Sequence, residues 1–154
     1  MTGTTITARP GTPFIEITRE FAASPSAVYR AHTDPELIVR WLGPHGMEME
    51  LLEFDPRSGG GYHYVHRDQR GEYRFRGVYH TVSSDRIIQT FEFLGTPGEV
   101  TLDSMTLTDL GDGRTRVETR SVFPSVSARD RALESGMSRG ITESYERLDK
   151  VLAD

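Results

Sequence analysis

Residues 127–153 read SARDRALESGMSRGITESYERLDKVLA and carry the clearest periodicity in the chain. Apolar side chains recur there at steps of three or four residues, which is the spacing of one face of an α-helix. The stretch therefore predicts one long C-terminal helix from Ser127 to Ala153, begun by an approximate capping box of Ser127 and Asp130. The apolar face consists of Leu133, Met137, Ile141, Tyr145, Leu148 and Leu152.

Two glycines interrupt this helical stretch. Gly136 and Gly140 sit on or beside the apolar face, where each glycine costs roughly 1 kcal/mol in helix propensity relative to alanine. Either the helix packs tightly on a sheet at these positions or it roofs a cavity. Large aromatic residues on the preceding strands favour the cavity, because tight packing against a helix backbone suits small residues.

Nearly all of the chain between Gly46 and Phe123 has the pattern of β-strands separated by turn-forming residues. A first strand is predicted at residues 14–21, and six further runs cover residues 47–54, 62–66, 73–82, 86–94, 100–110 and 115–123. The connections between these runs are short, which favours an antiparallel meander.

Two short helices are predicted between the first strand and the meander. Ser24-Pro25 and Asp34-Pro35 each supply an N-cap followed by a first-turn proline. The chain is therefore predicted to be α+β, with a curved antiparallel sheet of six to seven strands wrapped around one long C-terminal helix. Residues 14–154 are predicted to form a single domain after a flexible tail at residues 1–13.

Composition excludes several classes of protein. The net charge of -5, with Arg mixed among Asp and Glu, lacks the basic stripe of a nucleic-acid-binding protein. No apolar stretch approaches the ~20 residues of a membrane span. The absence of cysteine excludes disulfides and thiol chemistry. The first residues lack the apolar core of a signal peptide, so we expect a cytoplasmic location.

Alternation along the strands assigns the two faces of the sheet. The face predicted to meet water carries Arg74, Arg76, Glu92, Arg116, Glu118 and Arg120. The opposite face is mostly aromatic, with a few polar members, and consists of Tyr62, Tyr64, His66, Phe75, Tyr79, Gln89, Phe91, Asp103, Met105 and Thr119. An apolar cavity with a few placed polar groups is typical of a small-molecule site.

Asp103 is the most informative polar residue of the inner face. If it points inward, an unpaired carboxylate there is costly and its pKa is raised, which suits a general acid or base or a group that orients a ligand hydroxyl. The alternative is that a strand twist turns Asp103 outward or that an Arg pairs with it. Trp41 and His45 bracket the end of the second short helix, where Trp41 serves either as a core anchor or as a stacking surface for a ligand.

The order of elements resembles the helix-grip fold of the START/Bet v-like (SRPBCC) superfamily, and most closely its branch similar to the activator of the heat-shock-protein-90 ATPase. The segments that carry the resemblance are residues 17–44, 75–93 and 135–152. The resemblance implies binding of hydrophobic small molecules, as in polyketide-cyclase-like bacterial members, or interaction with a chaperone. It implies no shared catalytic residues and no cofactor.

Two short motifs do not support chemistry. Gly136-Met137-Ser138-Arg139-Gly140 matches G-x-S-x-G, but the nucleophile elbow needs a preceding strand and a later histidine, and neither is present. His63 and His66 lie three apart on a strand, so they point to opposite faces and do not form a metal site. No catalytic residue, metal or cofactor is expected.

The sequence therefore predicts a ligand-binding cavity between the sheet and the C-terminal helix. Its lining combines Trp41, His45 and the inner-face residues with Met137, Gly140 and Ile141 of that helix. The alternatives are a protein-interaction module that modulates a chaperone ATPase, and a cyclase or hydrolase that uses Asp103. An exposed apolar patch would favour the interaction module.

Overall fold

The computed structural model describes residues 3–154, which form eight strands and four helices. The strands are β1 (Thr5–Thr7), β2 (Phe14–Phe21), β3 (Glu48–Phe54), β4 (Gly61–Asp68), β5 (Gly71–Ser83), β6 (Arg86–Phe93), β7 (Val100–Gly111) and β8 (Arg114–Val122). The helices are α1 (Pro25–Thr33), α2 (Pro35–Trp41), α3 (Val126–Glu134) and α4 (Met137–Ala153).

The strands form one antiparallel sheet in the order β1-β2-β8-β7-β6-β5-β4-β3. The six runs after β2 follow one another as a meander, and β8 returns to pair with β2. The four helices cover one face of the sheet, which we call the inner face, and the other is the outer face. The predicted α+β helix-grip architecture is confirmed.

The two short helices begin where their capping signals predict. The Ser24 hydroxyl accepts a hydrogen bond from the Ala27 N–H at 3.2 Å, and the Asp34 carboxylate accepts one from the Glu36 N–H at 2.9 Å. Each cap satisfies a backbone donor that the first helical turn leaves free.

The predicted strand count of six to seven is wrong by one strand. β1 lies within the stretch predicted to be a tail, and it pairs with β2 from Thr5↔Thr18 to Thr7↔Glu16. Three residues of Thr-Ile-Thr are too short to show a reliable alternation, so the strand depends on the edge that β2 offers.

The prediction of one helix over residues 127–153 is also wrong. Helix α3 ends at Glu134, and Gly136 adopts a left-handed backbone with φ of 93° before α4 begins. Glycine adopts this conformation without a steric penalty, so Gly136 ends one helix instead of interrupting the middle of another. The N-cap of α3 is Ser125, which accepts from the Ala128 N–H at 3.0 Å, and not Ser127.

The core lies between the inner face and the helices. Ring contacts tie the C-terminal half of α4 to both layers, since the Tyr145 ring lies 5.3 Å from that of Phe21 on β2 and 6.4 Å from that of Trp41 on α2. Leu148, one turn later, is fully buried. The space between the sheet and the helices is therefore filled at the C-terminal end of α4.

Of the charged residues predicted to face water, four are exposed, Arg116 is half-buried, and Glu92 is buried. Its side chain lies on the outer face but is only 8% exposed, because it accepts hydrogen bonds from Arg76 at 2.8 Å and from the Gly98 N–H at 2.8 Å. The β6–β7 turn thus folds over a position that alternation alone marks as open to solvent.

Candidate functional site

The residues predicted to bind a ligand divide into two groups by burial. Six are buried, and they are Trp41, Tyr62, Tyr64, His66, Tyr79 and Met105. Eight are only half-buried, and they are Phe75, Gln89, Phe91, Asp103, Thr119, Met137, Gly140 and Ile141. His45 is exposed.

The half-buried group includes residues that point inward and yet are reached by solvent. Those on the sheet lie on β5 to β8, and those on the helix lie in the first turns of α4. A Cβ at Gly140 would meet no heavy atom within 4 Å, so α4 is not packed tightly at this point. The inner face of the sheet is therefore covered less tightly near the N-terminal end of α4 than near its C-terminal end.

A ladder of aromatic rings crosses the inner face. The ring centroids of Tyr62 and Tyr64 lie 5.9 Å apart, those of Tyr64 and Phe75 lie 5.2 Å apart, and those of Phe75 and Phe91 lie 5.3 Å apart. The interplanar angles are 22–25°, so the rings are stacked. The ladder follows from the register, which places Tyr64 opposite Phe75 on the neighbouring strand.

Tyr62 packs closely against the backbone of the neighbouring strands β5 and β6. Its hydroxyl donates to the Thr90 carbonyl at 2.5 Å and accepts from the Gln89 amide at 3.2 Å. A Cβ at Gly77 would stand 2.0 Å from that same carbonyl oxygen and 2.5 Å from the Tyr62 hydroxyl, so only glycine fits. Burial raises the pKa of the Tyr62 phenol, which stays neutral.

Asp103 points to the inner face. On β7 it lies opposite Gln89 of β6 and Ser121 of β8. Its carboxylate accepts hydrogen bonds from the Thr101 hydroxyl at 3.4 Å and from the Ser121 hydroxyl, and among residues 3–154 no cation pairs with it. Burial raises the pKa of Asp103 to about 6, since the two hydroxyls offset only part of the desolvation cost.

Tyr145 of α4 contacts the polar residues of the sheet. Its phenol shares a hydrogen bond with Thr119 of β8, and its pKa is raised by burial and by the charge of Asp103. Tyr145 lies on the predicted apolar face of the helix, and Ser121 lies two residues after Thr119 on the same strand face, but the predicted site includes neither. Those two patterns were the signals that could have found them.

His66 is a weaker candidate for a ligand-binding residue. Its ring lies against the backbone of Gly43, where a Cβ would come within 2.8 Å of Nε2. Nε2 is buried without a hydrogen-bond partner, and burial lowers the pKa of His66 to about 4, so the ring is neutral at pH 7. Its position is at the loop after α2 instead of beside Asp103.

That loop is clamped to α4. Arg147 donates to the carbonyls of Arg40 at 3.0 Å and Gly43 at 3.0 Å, and the Ser144 hydroxyl accepts from the Gly43 N–H at 2.9 Å. His45 belongs to the same loop, and its backbone N–H donates to Glu143 at 2.9 Å while its side chain is exposed. These contacts fix the loop against the middle of α4.

Trp41 occupies the core. It is 2% exposed, its indole N–H donates to the Ala31 carbonyl at 2.9 Å, and its ring meets that of His32 at 4.9 Å. Of the two interpretations of Trp41, this placement matches the core anchor.

The outer face of the sheet carries a different feature. The large apolar side chains that are exposed among residues 3–154 are Leu52, Val78, Val100 and Leu102. Val78 and Val100 also line a groove of about 370 Å³ that crosses β3 to β7 on this face. The His63 ring borders the same groove, with its Nε2 buried and without a partner.

Two further properties concern only the part of the chain that the structure describes. Within residues 3–154, no group of three or more His, Asp or Glu side chains is arranged to hold a metal ion. Over the same residues, no helix is long and apolar enough to cross a membrane.

A curved antiparallel sheet packed around a C-terminal helix, with two short helices after its first long strand, defines a helix-grip protein of the START/Bet v-like (SRPBCC) type. The sequence profile of the family described as activator of Hsp90 ATPase homolog 1-like protein matches residues 22–153. The chain belongs to this family, which confirms the resemblance seen in the sequence.

Solved structures agree with this assignment. A crystal structure of a Rhodobacter sphaeroides protein is 28% identical, covers 98% of both chains and superposes with a TM-score of 0.88. A solution structure of an Arthrobacter aurescens protein is 25% identical, covers 97% of this chain and 91% of its own, and also has a TM-score of 0.88. An AHSA1 protein from Silicibacter pomeroyi shares the fold at 20% identity over 91% of this chain and 97% of its own, with a TM-score of 0.75. No curated protein matches the chain significantly.

Proposed function

We propose that the protein binds a hydrophobic small molecule between the inner face of the sheet and the N-terminal half of α4. The observation that carries the proposal is the set of inward-pointing but half-buried side chains on β5 to β8 and in the first turns of α4. Side chains that face inward and still meet solvent border a space that opens to the surface, and they combine aromatic walls with a few polar groups. This is the usual composition of a small-molecule site.

The position of Gly140 supports the same proposal. A glycine in a helix is unfavourable, and no neighbour within 4 Å of its missing Cβ explains it by close packing. A ligand that occupies the space beside Gly140 supplies the explanation, because a larger side chain would compete for that volume.

The test is a pair of substitutions at Gly140. Gly140→Leu is expected to fold but to lose the bound molecule, whereas Gly140→Ala retains it. Native mass spectrometry of the purified proteins measures the bound mass, and thermal melting measures folding. A strongly destabilised Leu variant would contradict the open space, and a Leu variant that keeps its ligand would contradict the site.

A second candidate function is interaction with a chaperone of the Hsp90 type. It is favoured by the exposed apolar side chains of the outer face, where Val78 is 58% exposed and Leu102 45% exposed, since exposed apolar residues gathered on one face are typical of interaction surfaces. The family description points to the same class of partner.

This candidate predicts stimulation of the ATPase of an Hsp90-type chaperone. The double substitution Val78→Asp and Leu102→Asp is expected to abolish stimulation without unfolding the protein, because both side chains already meet water. Thr106→Asp, an exposed residue on the outer face of β7, is the matched control that keeps it. Absence of stimulation by the unaltered protein rejects this function and leaves ligand binding untouched.

A further inference from the structure

The electrostatics of the inner face narrow the class of ligand, and the argument rests on the proposed function. A carboxylate in a desolvated site is costly unless a positive charge or several hydrogen bonds compensate it. Asp103 has the Thr101 and Ser121 hydroxyls and no positive charge. Both hydroxyls are neutral donors, which stabilise a carboxylate much less than an ion pair does.

The other groups near Asp103 do not compensate it either. Burial raises the pKa values of the Tyr62, Tyr64 and Tyr145 phenols, and the nearby charge of Asp103 raises them further, so these phenols remain neutral. The Gln89 amide is already engaged with the Tyr62 hydroxyl. The sheet side and the helix side of the site thus present dipoles and rings, but no cation.

The cations on the elements that enclose the space have partners of their own. Arg19 of β2 is buried and forms an ion pair with Asp149 of α4. Arg147 of α4 donates to backbone carbonyls of the loop after α2. His66 of β4 is neutral at pH 7, since its pKa is lowered to about 4. Asp103 is therefore left as the unbalanced charge of the inner face.

The walls of the space complement a positive charge in a second way. The aromatic ladder of Tyr62, Tyr64, Phe75 and Phe91 lies on the same face as Asp103, and ring faces attract cations most strongly where water is excluded. The half-buried Phe91 belongs to the strand that pairs with β7, opposite Thr101. An ammonium group at the carboxylate and an apolar body on the rings would use both features.

From this arrangement we infer that the ligand is a hydrophobic organic cation, an amine whose ammonium group pairs with the Asp103 carboxylate while its apolar part packs on the aromatic ladder. A neutral hydrophobic molecule would exclude solvent from the half-buried Asp103 and leave its charge uncompensated. An anionic ligand such as a fatty acid would place a second negative charge beside it.

The experiment compares two probes that differ in one group. 4-Phenylbutylamine is protonated at neutral pH, as a lysine side chain is, and 4-phenylbutanol has the same apolar body without the charge. Isothermal titration at pH 7.5 is carried out on the unaltered protein, on Asp103→Asn and on Glu118→Gln. Glu118 is an exposed carboxylate on the outer face of β8, so its substitution removes the same charge without touching the site.

We expect the amine to bind at least about tenfold more tightly than the alcohol, and this preference to vanish in Asp103→Asn but to persist in Glu118→Gln. Equal or tighter binding of the alcohol overturns the inference while the proposed function stands. A preference that survives in Asp103→Asn also overturns it. If neither probe binds, the cation site is refuted, and the Gly140 substitutions judge ligand binding independently.

Discussion

Glu92 and Asp103 lie on neighbouring strands and on opposite faces of the sheet, and their carboxylates respond to burial in opposite ways. Glu92 accepts hydrogen bonds from Arg76 and from the Gly98 N–H, which lower its pKa. Asp103 is desolvated with two hydroxyl donors and no cation, and its pKa is raised to about 6. The comparison shows that Glu92 on the outer face has a cationic partner, whereas Asp103 on the inner face has none.

Two glycines extend the comparison to packing. A Cβ added at Gly77 would overlap the Thr90 carbonyl and the Tyr62 hydroxyl, whereas a Cβ added at Gly140 would meet no heavy atom within 4 Å. The inner face is thus filled where β4 and β5 meet and open beside the first turns of α4. Substitutions at Glu92, Asp103, Gly77 and Gly140 test these differences in charge compensation and in packing.

The largest effect is expected for Gly77→Ala. The added methyl group would overlap a backbone oxygen that cannot move without breaking the sheet, so we expect a loss of about 3 kcal/mol in the free energy of unfolding, the upper part of the range for overpacking. Urea denaturation monitored by Trp41 fluorescence measures it. An unchanged midpoint would mean that the close approach of Tyr62 does not exist.

Asp103→Asn is expected to stabilise the protein at neutral pH. The folded state holds the Asp103 proton more tightly than the unfolded chain does, so stability falls as the pH rises from about 4 to above 6. Asparagine removes this penalty. The gain is expected to be close to zero at pH 4 and to reach roughly 2–3 kcal/mol at pH 8.

Denaturation of both proteins at a series of pH values isolates this contribution, because all other titrating groups are common to the pair. His66 in particular titrates in both proteins. With a folded pKa of about 4, below its ordinary value, it contributes stability that is lost as the pH falls from about 6.5 to 4. A gain that does not depend on pH would contradict a raised pKa at Asp103.

Glu92→Gln is expected to act in the opposite direction. It removes the charge that Arg76 and the Gly98 N–H stabilise, so the melting temperature should fall at pH 7 and the difference should diminish in acid, where Glu92 itself becomes protonated. Calorimetry at pH 7 and pH 4 measures both. A rise in melting temperature at pH 7 would mean that the Glu92 charge destabilises the protein, and would contradict the difference between Glu92 and Asp103.

The smallest effect is expected for Gly140→Ala. Alanine has the higher helix propensity, and its methyl group meets no atom within 4 Å, so we expect a gain of roughly 0.5–1 kcal/mol. Urea denaturation beside Gly77→Ala provides the comparison. A loss of stability would show that α4 packs closely at this position after all.

Local signals in the sequence predicted most of the fold. The caps at Ser24 and Asp34 and the turn residues between strands are short-range features, and the two short helices and the six strands of the meander lie within a few residues of their predicted bounds. Alternation also placed Asp103 and Thr119 on the face where the structure has them.

The errors arise where distant parts of the chain decide. Glu92 is covered by a turn that folds over it, which no pattern on its own strand records. Periodicity continues across Gly136, although its left-handed backbone ends the helix. β1 exists because β2 offers a free edge, and the pairing lies outside the reach of local pattern. The absence of a cation near Asp103 is likewise a property of the assembled interior.

The absence of a positive charge beside Asp103 is tested most directly by a titration of the Asp103 carboxyl carbon by ¹³C NMR, with Asp103→Asn to assign the resonance. The account predicts a midpoint near pH 6 in the free protein, and a fall in that midpoint when 4-phenylbutylamine is added, because the ammonium stabilises the ionised form. A midpoint near pH 4 or below in the free protein would show that the Asp103 carboxylate is hydrated or already paired with a positive charge, and would contradict the account.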